Sequence, residues 1–174
     1  MKRIFLIGYM GAGKTTVGKV LSRQLDLSFI DLDHYIEGRY HKTVSQLFDE
    51  RGEEAFREIE RRMLREVGSF EDVLVSTGGG TPCFFDNMEF MNEVGQTVYL
   101  KVSVNELANR LEISKSTRPV LKERSGDELK AFIAESLQGR ESFYSKAAVI
   151  FNAEEMITER DVQGIAEKLA LLLS

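Results

Sequence analysis

Arg3-Ile4-Phe5-Leu6-Ile7 is a short apolar run that ends at once in a glycine-rich turn. It reads as a buried strand. The stretch that follows, from Thr15 to Leu25, spaces its apolar residues as one face of a helix. Further strand-like runs fall at Ser28–Asp31, Val73–Ser76, 97–102 and 148–151, each separated from the next by helical patterns. This alternation predicts an α/β fold: a five-stranded parallel sheet with helices on both faces, in three α/β/α layers.

Helix starts are marked by two capping-box patterns, Thr43-Val44-Ser45-Gln46 and Ser103-Val104-Asn105-Glu106. From about 53 to 67, Phe56, Ile59, Met63 and Val67 form one apolar stripe, with Arg57 and Glu60 on a neighbouring face. Those two are close enough to pair at i, i+3. Residues 114–126 differ in kind, with Lys115, Arg118, Lys122 and Arg124 set among serines, a proline and a glycine. With so little apolar periodicity, this stretch is expected to be a mobile basic loop. Pro119 disfavours a helical backbone at Arg118.

With 174 residues, 43% of them hydrophobic, the chain suits a single domain spanning 1–174. No apolar run is long enough to cross a bilayer, and the opening residues are too few for a signal peptide. A soluble, cytoplasmic protein is expected, without a membrane partner. The net charge of −5 argues against nucleic acid as the main partner. Cys83 is the single cysteine and reads as a small packed residue, and His34 and His41 read as surface residues. Such a set offers neither a His/Cys zinc site nor a Ser/His/Asp hydrolase.

Gly8-Tyr9-Met10-Gly11-Ala12-Gly13-Lys14-Thr15 matches GxxxxGK[ST] between a strand and a helix. Its glycines let backbone N–H groups curl around phosphates, Lys14 bridges the β- and γ-phosphates, and Thr15 offers a hydroxyl to magnesium. The second strand ends in Asp31-Leu32-Asp33, whose alternation would put both carboxylates on one side of an extended chain. A magnesium-associated role suits Asp31 and a substrate-facing role suits Asp33; either equally suits a helix N-cap before His34. Thr77-Gly78-Gly79-Gly80 brings exposed backbone to the same sheet edge.

The ordered set of these pieces resembles the shikimate kinase family of P-loop proteins. It comprises Gly8 to Thr16, Asp31-Leu32-Asp33, Gly52-Glu53 with Phe56-Arg57-Glu58-Ile59-Glu60, Thr77 to Gly80, Arg110-Leu111, Arg118-Pro119-Val120-Leu121, and Arg140 with Tyr144. The resemblance implies transfer of the γ-phosphoryl group of ATP to the 3-hydroxyl of shikimate, with Mg2+ as cofactor and a monomeric enzyme. It assigns shikimate contacts to Asp33, Arg57, Gly78, Gly79, Gly80 and Arg140, within a substrate segment at about 33–66 and around it. ATP contacts go to Gly11, Ala12, Gly13, Lys14, Thr15 and Thr16, with Arg110 beside the adenine and Arg118 on a lid at about 114–126. Lys14, Asp33 and Arg118 would be catalytic, and Thr15 and Asp31 would serve the metal. Phe48 and Phe56 would line the pocket, although a core position is as natural for both.

These residue types suit the chemistry. Shikimate carries a carboxylate and hydroxyls, which call for cationic forks and for acceptors. Arg57 and Arg140 supply the forks, Asp33 the acceptor, and Glu60 would steady Arg57. Glu58, Arg61, Arg62, Arg65 and Glu66 have no part in the motif and read as a solvated helix face. The sequence departs from the family at Phe151-Asn152-Ala153-Glu154-Glu155-Met156, where an Asp-Thr type of adenine loop is common. Gluconate kinase shares the fold and is the nearest rival reading; a GTPase is disfavoured by the lack of an NKxD stretch.

Overall fold

Ile4 and Leu6 face one side of a central sheet and Phe5 and Ile7 the other, so the first strand contributes to two cores. All four are fully buried, as a strand covered on both faces requires. The computed structural model describes residues 1–113 and 126–174.

The strands are β1 (Arg3–Ile7), β2 (Ser28–Asp31), β3 (Val73–Ser76), β4 (Gln96–Lys101) and β5 (Val149–Asn152). The helices are α1 (Lys14–Gln24), α2 (Leu32–Tyr40), α3 (Val44–Val67), α4 (Asn87–Val94), α5 (Val104–Ile113), α6 (Gly126–Tyr144) and α7 (Glu159–Leu173), with a 3-10 turn at Thr81–Cys83. The sheet order is β2-β3-β1-β4-β5 and every pairing is parallel. The expected three-layer α/β/α arrangement is therefore present. The first three strands match their predicted bounds, and β4 and β5 are displaced by a single residue at their ends.

One core packs α1, α5, α6 and α7 against the sheet through residues such as Val17, Leu21, Leu111, Ile133 and Leu169. The opposite core packs α2, α3 and α4 through Ile36, Phe56, Ile59, Leu64 and Met91. Burying a leucine- or phenylalanine-sized side chain in this way contributes about 1.5–3 kcal/mol. The apolar stripe expected between 53 and 67 is buried as predicted.

Thr43 caps α3 with a complete capping box: Gln46 N–H donates to its hydroxyl at 3.1 Å and the Gln46 side chain takes Thr43 N–H at 2.8 Å. The second box is only half made. Glu106 N–H reaches the Ser103 hydroxyl at 3.2 Å, but Ser103 N–H goes to Glu154 and the Glu106 carboxylate goes to Arg110. Helix α3 is broken at Gly52, where φ is 83° and ψ 167°. The substrate segment expected at 33–66 is thus α2, a first short arm of α3, and its longer second arm.

The face of α3 expected to be solvated is largely exposed, and it carries surface partners as well. Arg61 and Arg65 both pair with Asp86, and each guanidinium lies over a ring, Phe85 and Phe90 respectively. Glu66 takes the Tyr35 hydroxyl and Arg39, and Arg62 donates to the Tyr40 hydroxyl at 3.1 Å. These contacts clasp α2 and the start of α4 onto α3. Among the described residues, no helix is long and apolar enough to cross a membrane.

Candidate active site

Because β3 lies between β1 and β2, the loops leaving the carboxyl ends of β1 and β3 are neighbours. Thr77 seals this junction by giving both its N–H and its hydroxyl to Leu6 O, at 3.1 and 3.0 Å. Open parallel sheets bind ligands at this edge. Here a cleft of about 520 Å3 is lined by Gly11, Gly13, Lys14, Thr15, Thr16, Asp31, Asp33, Gly78, Gly79 and Arg110 among others.

The loop from Gly8 to Thr15 is built to leave donors open. Gly13 is the N-cap of α1 at φ 97°, a conformation that glycine alone adopts without strain, and no side chain caps the first turn. Backbone N–H groups at that helix start are left to meet an anion. Lys14 is mostly buried and its ammonium is held by Gly8 O at 2.6 Å and Tyr9 O at 2.9 Å. It is thereby fixed over the loop.

Asp31 closes β2 and caps α2, its Oδ1 accepting His34 N–H at 3.1 Å. Its other oxygen accepts the Thr15 hydroxyl at 3.1 Å. The cap reading holds for this residue, and its carboxylate also lines the cleft. Asp33 differs from expectation: it sits in the first turn of α2, not on an extended strand, because the cap turns the chain directly after Asp31. It still reaches the cleft. Burial, then the charges of Glu60 and Asp31, raise its carboxyl to about 6, against the pull of Lys14.

Arg57, Gly80 and Arg140 do not line the cleft itself but gather at one end of it, behind Gly79. A Cβ on Gly79 would stand 3.0 Å from Arg140 Nη1, and one on Gly80 would stand 2.7 Å from Arg57 Nη2. Arg57 donates to Glu60 at 2.9 Å and lies over Phe48, Phe56 and Phe84, the last at 4.2 Å. Its Nε and Arg140 Nη1 are buried without a hydrogen-bond partner among the described residues. Phe56 is core and Phe48 half-buried beside it, their ring centroids 4.5 Å apart.

Arg110 acts as a brace at the other end. Its guanidinium donates to Gly11 O, Ala12 O, Ala153 O and Glu154 O at 2.8–3.3 Å, tying the phosphate loop to the segment after β5. That segment carries Met156, whose methyl group occupies the space a Cβ on Gly13 would need. Met156 and His34 line the cleft, and Thr81 buttresses it from behind. Sequence reasoning gave none of the three a role, and only the fold brings them here. The proposed lid at 114–126 and Arg118 lie outside the described residues, apart from Gly126 at the start of α6.

A phosphate loop on β1 facing a carboxylate and two arginines across a parallel sheet edge defines a P-loop phosphotransferase of small molecules. A family model described as shikimate kinase matches residues 10–170. The chain is 72% identical to the shikimate kinase of Parabacteroides distasonis over 99% of this chain and all of that one. It superposes on the crystal structure of shikimate kinase from Bacteroides thetaiotaomicron with a TM-score of 0.96 at 55% identity, covering 99% and 98% of the two chains. The Acinetobacter baumannii shikimate kinase in complex with shikimate gives 0.85 at 32% identity, covering 99% and 92%. The chain belongs to the shikimate kinase family and is an ATP-dependent phosphotransferase with an alcohol acceptor.

Proposed function

We propose that the cleft carries the γ-phosphoryl group of ATP to the 3-hydroxyl of shikimate, with Gly11 to Thr16 on the nucleotide and Asp33, Arg57, Arg140 and the Gly78–Gly80 turn on the acceptor. The observation that carries this division is that two arginines packed against Gly79 and Gly80 each keep a buried nitrogen, Arg140 Nη1 and Arg57 Nε, without a hydrogen-bond acceptor among the described residues. A buried guanidinium N–H without an acceptor costs stability unless a ligand oxygen completes it. A small carboxylate that also bears hydroxyls meets both demands of this end: its acid takes the guanidinium groups and its alcohol takes Asp33.

Phosphoryl transfer depends on position and charge more than on covalent help. Lys14 holds positive charge where the transferring group would lie, and the first turn of α1 adds its N–H groups. Asp33, raised to about 6, is mostly ionised at neutral pH, yet binds a proton better than an ordinary carboxylate. It is suited to orient the acceptor hydroxyl and take its proton late. The Thr15 hydroxyl and Asp31 carboxylate, already bonded to each other, are the groups that would hold magnesium. When bound, Mg2+ supplies neutralisation of charge on the phosphate oxygens. Arg110, with its edge committed to backbone carbonyls, would present its flat face toward the adenine.

The test is ADP release by purified protein with ATP and Mg2+, offered shikimate, gluconate or nucleoside monophosphates in parallel. ADP formed with another acceptor and none with shikimate overturns the reading. Arg57→Ala and Arg140→Ala are expected to raise KM for shikimate far more than KM for ATP. Equal losses for the two substrates would mean that the acceptor end is misplaced.

A further inference from the structure

The Gly78–Gly80 turn has no side chains with which to hold its own shape. The spaces its Cβ atoms would fill at Gly79 and Gly80 are taken by the ends of Arg140 and Arg57. Beyond the backbone bonds from Thr81 N–H to Gly78 O at 3.2 Å and from Cys83 N–H to Gly80 O at 3.0 Å, whatever fixes the turn must come from side chains outside it. Two wholly buried hydroxyls do this.

The first belongs to Thr81, directly after the turn. Its hydroxyl donates to Glu60 Oε2 at 2.8 Å, while Glu60 Oε1 accepts from Arg57 at 2.9 Å. Glu60 is only 1% exposed, so these two donors are what keep its carboxylate in place. The Thr81 carbonyl is in turn held by Asn87 Nδ2 at 2.9 Å, which roots the arrangement in α4. The second hydroxyl is that of Tyr144 at the end of α6, which donates to Gly79 O. Burial holds this phenol above its ordinary range, so it stays protonated and remains a donor at any working pH. Thr81 thus grips the turn from the α3 side and Tyr144 from the α6 side.

We propose that Thr81 and Tyr144 are positioning residues for the alcohol substrate, Tyr144 by fixing the Gly79 peptide and Thr81 by fixing Glu60 and through it Arg57. This rests on the acceptor-site reading given above. Neither residue lines the cleft: Tyr144 acts through Gly79, which does, and Thr81 through Glu60 and Arg57 at the end of it. The turn is packed so closely against two guanidinium groups that a shifted peptide must move them. A displacement near 1 Å in such a site lowers the rate of a well-oriented reaction by about 100-fold. ATP sits against the β1 loop and α1, which neither hydroxyl contacts.

The experiment uses Tyr144→Phe, Thr81→Val, Thr81→Ser and, as a control on the site itself, Arg140→Lys. Initial rates are measured across both substrates and Tm is measured for each variant. Losing a buried hydrogen bond is expected to raise KM for shikimate about tenfold in Tyr144→Phe and Thr81→Val, with KM for ATP within about twofold of wild type. Thr81→Ser keeps the hydroxyl and is expected to restore the wild-type KM. A lower Tm with unchanged KM for shikimate would make the hydroxyl merely structural, as would equal rises for both substrates; either result strips that residue of the role. If Tyr144→Phe does not fold, the Thr81→Val and Thr81→Ser pair decides. Arg140→Lys with an unchanged KM for shikimate sinks the acceptor-site reading. A raised KM there beside wild-type values in Tyr144→Phe and Thr81→Val overturns only the present inference.

Discussion

The Thr15 hydroxyl donates to Oδ2 of Asp31 at 3.1 Å, while Oδ1 of the same carboxylate caps helix α2. One side chain therefore joins the phosphate loop to the helix that carries Asp33. Asparagine caps a helix about as well as aspartate but carries no charge. Asp31→Asn is expected to keep Tm close to wild type while raising the Mg2+ concentration needed for half-maximal rate several-fold. Asp31→Ala is expected to lose the cap as well, at about 1 kcal/mol. A Mg2+ titration alongside thermal melts separates the two functions, and an unchanged titration in Asp31→Asn would remove Asp31 from the metal site.

Asp33 gives a pH dependence with a definite sign. Its carboxyl rises from 3.8 to about 6 on folding, so between these values the folded state holds a proton that the unfolded chain releases. Stability therefore falls as pH rises through this window, and the penalty is complete above about 6. Asp33→Asn is expected to be more stable than wild type at pH 7 by roughly 1–2 kcal/mol, allowing for solvent screening at the cleft. The difference should vanish below about pH 4. If Asp33 takes the acceptor proton as proposed, wild-type turnover should fall as pH drops through about 6, where its carboxylate is protonated. Urea denaturation at pH 4 and 7, with a rate profile over the same range, tests both halves.

Gly80 adopts φ −89°, which any residue tolerates, so its substitution probes space alone. A methyl group there meets the Arg57 guanidinium at 2.7–3.0 Å. That guanidinium is the end of a long side chain and will yield. Gly80→Ala is expected to fold, to raise KM for shikimate about tenfold, and to leave KM for ATP nearly unchanged. Steady-state kinetics with each substrate varied in turn would show it; a wild-type KM for shikimate would mean that Arg57 is placed elsewhere in the working enzyme.

Thr43→Ala removes an exposed capping hydroxyl whose only described partner is Gln46 N–H. A loss of about 1 kcal/mol in unfolding free energy is expected, with kcat retained. Chemical denaturation checks the first and a saturating assay the second.

Much of this architecture was legible in local pattern. Ile4 to Ile7 and Val73 to Val75 are continuous apolar runs because both faces of their strands are covered, and that is the signal a parallel sheet leaves. The ends of β4 and β5 were less readable, since Gln96 and Asn152 pair through the backbone, which has no regard for side-chain polarity. Asp33 was misplaced because strand spacing was extended past a cap that turns the chain within one residue. The side chains of Arg61 and Arg65 are exposed as their face predicts, but their partner Asp86 lies 25 and 21 residues away, beyond any periodic signal. The phosphate loop was found from its spacing, and Arg57 and Arg140 from family likeness. The hydroxyls of Thr81 and Tyr144 are single atoms whose neighbours only the folded chain supplies.

The pairing of β1 with β3 has a further consequence. Adjacent strands in a sheet stand about 4.8 Å apart, and here one delivers the phosphate loop while the other delivers the glycine turn. In the proposed reading, donor and acceptor sides are thus set apart by a dimension fixed in backbone hydrogen bonds. Helices α2, α3 and α6 can change which alcohol is admitted without altering that span. The sheet serves the reaction as its ruler, and the surrounding helices choose what is measured against it.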